Sequence, residues 1–305
     1  MFLYKLRFAW WNTGLSPASS KAKTKATLET SKRNYDHIAR LFLDYACDFL
    51  ALCEVSDDDV LFIKNNLDLD GVKIYSLVNK IPRTRFDVCI LYNANKVRVG
   101  ECRNLIKNSL GSNIKSGQVV VVENIDDNEV FRVYLCHWSS RMSDLYGNNR
   151  KASAQHIHDD IQNYFSESGV KEVIVMGDFN DNPYDESLMT VLKASRCLDS
   201  VRKYSKDLLY NPFWRTVVSS IDYHHSNSNS NDDYSSGSYK YKTNEGVIWH
   251  SFDQIIFSSS FLGMSKWHLN ESNTLVVDDY EFRMDFNNKT CPIDHMPVIA
   301  EILRV

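Results

Sequence analysis

The feature of this 305-residue chain that most limits its fold is a set of short apolar segments with polar side chains at their ends. Apolar runs of this length are typical of strands in a buried sheet. In layered proteins of sheets and helices, the ends of such strands meet at one crevice. We therefore expect these polar groups to lie together: Asn12 after Leu3–Trp11, Glu54 in Phe49–Val55, His137 in Val130–His137, Asp178 and Asn180 after Lys171–Gly177, Asp253 in Ile248–Ser258, and Asp294 and His295 before Pro297–Leu303.

The remaining segments predict helices and further strands around this framework. Helical spacing and a suitable N-cap at Ser56 predict helices over Lys25–Ala46, Ser56–Leu67, Arg150–Phe165 and Ser187–Ala194. Alternating or apolar runs predict further strands over Val72–Val78, Asp87–Tyr92 and Val119–Glu123.

One segment, at about residues 226–246, is rich in Ser, Asn, Asp, Gly and Tyr and cannot bury a core of its own. It predicts a long polar surface loop, and the alternative is a flap that closes on a substrate. Because the sequence on both sides has the pattern of one fold, we interpret residues 1–305 as a single domain.

The composition excludes some classes of protein. No apolar run approaches the ~20 residues that a membrane helix needs, and Met1–Asn12 lacks the uninterrupted apolar centre of a signal peptide. The seven cysteines include no CxxC pair, which favours a reducing, cytoplasmic location over a disulfide framework. The net charge of −4 argues against broad coating of a nucleic-acid duplex, although a local basic groove remains compatible with it.

Each polar residue at a strand end also has an ordinary structural interpretation, as a turn residue, a solvated acid or a hydrogen-bonded core histidine. Their common placement favours a functional site. Crowded carboxylates repel one another and shift each other's pKa, and a bound divalent cation removes that cost. Oxygen ligands suit Mg²⁺, with Mn²⁺ as the alternative.

The ordered motifs Gly177-Asp178-Phe179-Asn180 and Asp294-His295-Met296-Pro297-Val298, with the polar residues before them, resemble the endonuclease/exonuclease/phosphatase superfamily, the DNase I-like proteins. The similarity extends from Asn12 to Val298. It implies an α/β fold of four layers, α-β-β-α, with two mixed β-sheets packed face to face.

The resemblance also implies roles for individual residues. Glu54 corresponds to the principal metal ligand, and Asn12 and Asp294 lie close to the metal. Asp178 and Asn180 position or activate the attacking water and hold the phosphate.

The same resemblance pairs His295 with Asp253, and either His295 or Asp178 is the general base. His137 is similar to the second histidine of the deoxyribonuclease branch, whose partner there is a glutamate. Residues 83–87 contain no glutamate, so we expect His137 to act mainly as a hydrogen-bond donor. Ile293 stands where the family often has serine, which predicts one hydrogen bond fewer near the site.

The substrate is predicted with less detail. Arg141 and Arg150 are expected to face phosphate oxygens, and Trp138, with Tyr146 and Trp214, to stack on bases or sugars. These residues favour a Mg²⁺-dependent nuclease, and among nucleases a DNA endonuclease. We expect no membrane partner, and we expect a regulatory protein as a further partner. The alternatives are a phosphatase or phospholipid phosphodiesterase of the same fold, and an inactive binding module.

Overall fold

The computed structural model describes residues 4–17, 28–81, 84–109, 112–218, 235–241, 249–288 and 290–305. Within these ranges the α-helices are α1 (Leu28–Leu43), α2 (Asp57–Asn66), α3 (Asn148–Ser168), α4 (Leu198–Lys203) and α5 (Tyr280–Asn287). The strands are β1 (Tyr4–Asn12), β2 (Phe49–Cys53), β3 (Val72–Ser76), β4 (Asn79–Ile81), β5 (Thr84–Phe86), β6 (Cys89–Asn93), β7 (Val97–Ser109), β8 (Ser112–Asn124), β9 (Val130–His137), β10 (Val173–Asp178), β11 (Ala194–Ser195), β12 (Leu209–Tyr210), β13 (Tyr239–Lys240), β14 (Trp249–His250), β15 (Asp253–Phe257), β16 (Trp267–Val276) and β17 (Val298–Arg304).

Two large mixed sheets contain most of these strands. The first has the order β16-β17-β1-β2-β6-β3, in which only β1 and β2 are parallel. The second has the order β11-β12-β15-β10-β9-β8-β7, with β9 parallel to β10 and β11 parallel to β12. Two small ribbons, β4–β5 and β13–β14, lie outside these sheets.

The two sheets pack face to face because their strands are apolar on both sides. Alternate residues of β1, such as Phe8 and Trp10, join Val133, Met176 and Ile255 of the second sheet in a central core. The outer face of the first sheet packs against α1, α2 and α5, and the outer face of the second packs against α3. This is the expected four-layer α-β-β-α sandwich.

Several predicted elements match the structure closely. β9 has the predicted bounds, and the apolar β10 lies at the centre of its sheet. Ser56 caps α2 in a capping box with Asp59, as its sequence indicates. The predicted helix over Ser187–Ala194 is instead one short π-helical turn, Ser187–Val191.

The sequence prediction misses the strands at the sheet edges. β7 and most of β8 form a long bulged hairpin where only Val119–Glu123 was expected, and β16 was not expected at all. Both β7 and β16 are half-exposed edge strands without a continuous apolar run, so their sequences are like those of loops.

Most of the predicted loop at 226–246 lies outside the described residues. Its described part, residues 235–241, contains β13, which pairs with β14. Among the described residues, no helix is both long and apolar enough to cross a membrane.

Candidate active site

The strand register brings the predicted polar residues to one end of the two sheets. In the second sheet Asp178 lies opposite His137 of β9 on one side and opposite Asp253 of β15 on the other. In the first sheet Asn12 lies opposite Cys53, so that Glu54 follows directly at the end of β2. The Asn12 side-chain amide donates a 3.1 Å hydrogen bond to Asp178 Oδ2 and so connects the two sheets at this site.

The backbone at this end has two unusual features, left-handed backbone angles in non-glycine residues and a close approach of two strands at a glycine. Glu54 and Asn180 both have left-handed backbone angles, with φ of 57° and 53°. Such angles in non-glycine residues concentrate at functional sites, where the surrounding structure holds them. Gly177 is required because a Cβ there would lie 2.1 Å from the carbonyl oxygen of Cys136. The glycine thus permits the close approach of β9 and β10 that aligns Asp178 with His137.

Asp178 and Asn180 are held by local hydrogen bonds. Asp178 Oδ1 accepts a 2.9 Å hydrogen bond from the backbone N–H of Asn180. The Asn180 side-chain amide in turn donates to the carbonyl oxygen of Trp138, at 3.1 Å. These contacts fix the turn after β10 and orient both side chains.

His295 and Asp253 form a buried pair, as the resemblance implies. His295 Nδ1 lies 2.7 Å from Asp253 Oδ2, and the Trp10 indole donates to the other oxygen, Asp253 Oδ1, at 3.1 Å. Nε2 of the same imidazole lies 3.8 Å from Asp178 Oδ2. Burial opposes protonation, but the charges of Asp253 and Asp178 outweigh it and raise the pKa of His295 well above its usual value. The neighbouring carboxylates thus favour the protonated form of His295, in which Nε2 is a hydrogen-bond donor facing Asp178.

A second histidine–aspartate pair lies on the other side of Asp178. His137 Nδ1 is 3.0 Å from Asp87 Oδ2, and Lys115 Nζ is 2.9 Å from Asp87 Oδ1. Although burial alone would raise it, His137 and Lys115 hold the pKa of Asp87 well below its usual value. His137 Nε2 remains directed to the site, 3.8 Å from Glu54 Oε1.

This pair corrects the expectation that His137 lacks a carboxylate partner. The acid in residues 83–87 is an aspartate, Asp87, at the end of that stretch, and not the glutamate of the deoxyribonuclease branch. The shorter aspartate reaches His137 from the two-residue link between β5 and β6, where it is buried.

Glu54 is the carboxylate with free coordination capacity. Among the described residues, no hydrogen-bond donor is in contact with its carboxylate, and Nε2 of His137 lies 3.8 Å from Oε1. Burial raises the pKa of Glu54, and the charge of nearby Asp294 adds to this effect. A carboxylate without a donor and with a raised pKa fits a bound cation that would neutralise the acids. Glu54, with Asn12 and Asp294 beside it, therefore suits a hard divalent ion.

A tighter cluster lies next to Glu54. Ligand-type atoms of Asp178, Asp253 and His295 all lie within 4.8 Å of one another. Asp253 already uses both oxygens, one for Trp10 and one for His295. We therefore regard these three residues mainly as a proton-handling group, whereas Glu54 keeps its lone pairs available.

Two expected substrate-binding residues are in fact buried structural groups. Arg150 is 4% exposed, forms a 2.9 Å ion pair with Asp181, and donates to the carbonyl oxygens of Ser139 and Asp144. Trp138 is 2% exposed and donates its indole N–H to the carbonyl oxygen of Ser116. Neither side chain can reach a substrate from these positions, and a sequence pattern does not distinguish such groups from exposed ones.

Arg141 remains partly exposed at the rim of the site. Its Nε donates to the carbonyl oxygen of Asn180 at 3.0 Å, and its guanidinium lies over the ring of Phe252, 4.9 Å from the centroid. Ion pairs with Asp181 and Asp185 anchor it there. Tyr146 is 80% exposed, and Trp214 is half-buried.

Several residues of the site were missed by the sequence argument. Asp87 had a usable signal, since it is a polar residue at a strand boundary like the others. Trp10, Lys115 and Tyr239 carried no comparable signal, because an indole or phenol within a strand is usually a core residue and a lysine is usually solvated.

Similarity to solved structures agrees with this architecture. The catalytic domain of human Nocturnin with a bound sulfate anion has a TM-score of 0.62 at 15% identity, covering 99% of this chain and 95% of that chain. An endonuclease/exonuclease/phosphatase family protein from Bacteroides thetaiotaomicron has a TM-score of 0.59 at 16% identity, covering 100% and 99%. A mannosyl-6-phosphatase from the same species has a TM-score of 0.57 at 16% identity, covering 97% and 99%. No curated protein sequence matches the chain significantly.

The two mixed sheets, packed face to face between helices, define a DNase I-like α/β sandwich, which confirms the fold expected from the sequence. The chain belongs to the Endonuclease/Exonuclease/phosphatase family, whose sequence pattern matches residues 16–281. Enzymes of this family are typically hydrolases of phosphoester bonds and generally depend on a divalent metal ion.

Proposed function

We propose that this protein is a Mg²⁺-dependent phosphodiesterase that cleaves nucleic acid, and that its substrate is DNA, cut internally. The observation that carries the proposal is the presence of two histidine–aspartate pairs, one on each side of Asp178. His295 with Asp253 lies on the β15 side, and His137 with Asp87 lies on the β9 side.

Two such pairs suit the hydrolysis of a phosphodiester. The attacking water must lose a proton, and the departing sugar oxygen must gain one or be stabilised as an anion. The pair on the β15 side holds the protonated His295 against Asp178, which can take the first proton, and the pair on the β9 side places His137 where it can supply the second. The pairing with Asp87 raises the pKa of His137, although burial opposes this, and so favours the protonated form that an acid requires.

The oxygen groups beside His137 suit the implied metal ion. Glu54 would bind Mg²⁺, with Asn12 and Asp294 close to it, and Mn²⁺ fits the same donors. When bound, the ion supplies positive charge that offsets the charge of the phosphodiester and of the departing oxygen.

The remaining residues position the reacting groups. Asp178 accepts a proton from the attacking water or holds that water in line, because its oxygens face both Asn12 and His295. The cationic His295 and the Asn180 amide donate to phosphate oxygens, where charge grows during the reaction. Arg141, at the rim, contacts the flanking phosphate.

An extended substrate is supported by the loop that follows His137. Met142, Leu145 and Tyr146 are 86%, 76% and 80% exposed, although the buried Arg150 holds this loop from below. A rigid loop that presents large apolar side chains beside the site suits contact with the sugars and bases around the cleaved bond. A compact phosphomonoester would not need such a surface.

The deciding experiment compares wild-type protein with Asp178→Ala, and with Asp70→Ala, an exposed acid, as the control. Each is incubated with supercoiled plasmid, linear duplex, single strands, RNA and a panel of sugar phosphates, in Mg²⁺, in Mn²⁺ and in chelator. We expect wild type and the control to nick the plasmid in either metal and not in chelator, and Asp178→Ala to be about 10³-fold slower or less active still. Release of inorganic phosphate from sugar phosphates without plasmid nicking would favour a phosphatase, and normal turnover by Asp178→Ala would refute the assigned site.

A further inference from the structure

The short segment 235–241 brings an unassigned aromatic side chain into the active site. Tyr239 forms an isolated β-bridge with His295, and its ring centroid lies 4.7 Å from the His295 imidazole. On another side its ring stacks on Phe252, at 5.2 Å and an interplanar angle of 21°. Tyr239 is therefore in direct contact with a proposed catalytic residue.

Hydrogen bonds of Ser238 hold this segment against Asp253 and against the residue after His295. Ser238 accepts a 2.7 Å hydrogen bond from the N–H of Met296, next to His295. The Ser238 hydroxyl accepts a 3.0 Å hydrogen bond from the N–H of Asp253. Gly237 has a φ of 151°, and a Cβ at this position would lie 2.4 Å from the carbonyl oxygen of His250. The position of Tyr239 is consequently coupled to that of the histidine–aspartate pair.

The hydroxyl of Tyr239 is the unusual group. Within the described ranges of the chain, no protein atom forms a hydrogen bond with it, whereas the polar groups of Asp253 and His295 next to it are paired. Burial raises the pKa of Tyr239, and the negative charges of Asp294, Asp178 and Glu54 raise it further. The acids of the site therefore lie close to the phenol.

A half-buried hydroxyl without a protein acceptor is a hydrogen-bond donor available to a ligand. The ligand that the neighbouring amides and imidazoles suit, with a cation offsetting the acids, is an anionic phosphoester, whose oxygens are acceptors. A neutral donor has an advantage over a lysine here, because a lysine would form an ion pair with the carboxylates and compete with the cation for them.

We propose that Tyr239 is a phosphate-binding residue of this active site, whose hydroxyl donates to a non-bridging oxygen of the bound phosphoester. The inference rests on the proposed hydrolysis of phosphoesters but not on DNA as the substrate. The ring of Tyr239 also positions His295, and the two roles are separable, because a phenylalanine keeps the ring and loses only the hydroxyl.

The test compares Tyr239→Phe with Tyr241→Phe, a neighbouring tyrosine of the same aromatic cluster whose ring packs edge-on against Tyr239 and His250. The substrate is bis(p-nitrophenyl) phosphate, and inorganic phosphate serves as the competing probe. For Tyr239→Phe we expect kcat/KM to fall about tenfold and the inhibition constant of phosphate to rise by a similar factor, with unchanged melting temperature. Tyr241→Phe is expected to match wild type in all three.

A second measurement keeps the inference open to refutation if Tyr239→Phe does not fold well. Phosphate is added to wild type and to the destabilised Tyr239→Phe, and the increase in melting temperature that it causes is compared; the inference requires a clearly smaller increase in the variant. Wild-type values of kcat/KM and of phosphate inhibition in a folded Tyr239→Phe protein would overturn it. Asp178→Ala is measured in parallel: if that variant is as active as wild type, the proposed function fails, whereas an inactive Asp178→Ala beside a normal Tyr239→Phe contradicts only the role of Tyr239.

Discussion

At the scale of single residues, Asp87 shows how a buried acid can control a neighbouring imidazole. Its carboxylate is 1% exposed and has two basic partners, His137 and Lys115. Because removal of one member leaves the others buried and unpaired, such a triad tolerates substitution poorly. Asp87 also fixes the orientation of His137, since its carboxylate accepts a hydrogen bond from Nδ1–H and leaves Nε2 to face the site.

Asp87→Asn is therefore expected to lower kcat about 10²-fold or more, with a much smaller effect on KM, as is typical when a general acid or base loses its orienting carboxylate. Asp87 raises the pKa of His137, so the variant should lower that pKa. If protonated His137 is the active form, the alkaline limb of the pH–rate profile then moves to lower pH. Steady-state kinetics from pH 5 to 9 would measure both effects.

The matched control for this substitution is Asp160→Asn. Asp160 is also ion-paired, with Arg103 and Arg132, but it lies against the opposite end of β9 from His137. An equal loss of kcat in both variants, or an unshifted alkaline limb in Asp87→Asn, would contradict the assignment of His137.

At the scale of elements, the edge of the first sheet is held together by one buried acid. Glu301 of β17 lies opposite Arg7 of β1, and the Arg7 guanidinium donates to it at 2.7 Å. From β16, the amides of Asn270 and Asn273 donate to its other oxygen at 2.6 and 2.7 Å. These contacts connect three adjacent strands. Burial alone would raise the pKa of Glu301, but the hydrogen bonds from Asn273, Arg7 and Asn270 lower it from 4.5 to about 2.

Glu301→Gln is expected to destabilise the protein by on the order of 2 kcal/mol at pH 7. Since the folded pKa lies below the unfolded one, the contribution of Glu301 is complete above about pH 4.5 and disappears as the pH falls towards 2. The difference between wild type and variant should shrink over that window in urea unfolding experiments. Glu123→Gln, which breaks the exposed pair with Arg98, should change the stability by less than ~1 kcal/mol, and a similar effect of both variants would contradict the argument.

The elements that the sequence predicts well are those with a strong local pattern. The apolar β10 and the capped α2 depend on short-range signals that survive in the fold. β7 and β16 were not predicted because an edge strand needs little apolar surface, and its pairing is decided by distant residues. α5 was also missed, although Asp279 caps it by accepting from two backbone N–H groups. Its apolar residues, such as Phe282, are too few to show the spacing that indicates a helix.

At the scale of the whole molecule, the site is assembled from residues that are far apart in the chain, and this limits what a sequence can predict. The identity of Asn12, Glu54, Asp178 and His295 could be read from motifs at strand ends. The pairing of His295 with Asp253 followed from the same motifs, but Tyr239 and Lys115 could not be predicted, because they enter the site through tertiary packing rather than through a motif. For the same reason the burial of Arg150 was unpredictable, since its partner Asp181 lies on a different element.

The same assembly implies that the site lowers the stability of the metal-free protein. Burial and Asp294 raise the pKa of Glu54, so that keeping this acid ionised at neutral pH opposes folding. We expect Glu54→Gln to be as stable as wild type or more stable, by on the order of 1 kcal/mol, when both are measured in chelator.

Addition of Mg²⁺ should make wild type more stable than Glu54→Gln. A ligand that binds only the folded state stabilises it in proportion to the logarithm of its concentration above Kd. Wild type should therefore melt at increasingly higher temperature as Mg²⁺ is added, and Glu54→Gln should respond little. Glu301→Gln, which is remote from the site, serves as the control: it should start less stable than wild type and show the full response to Mg²⁺. Equal Mg²⁺ responses of wild type and Glu54→Gln, measured by calorimetry in the same buffers, would mean that the carboxylate of Glu54 does not hold the ion.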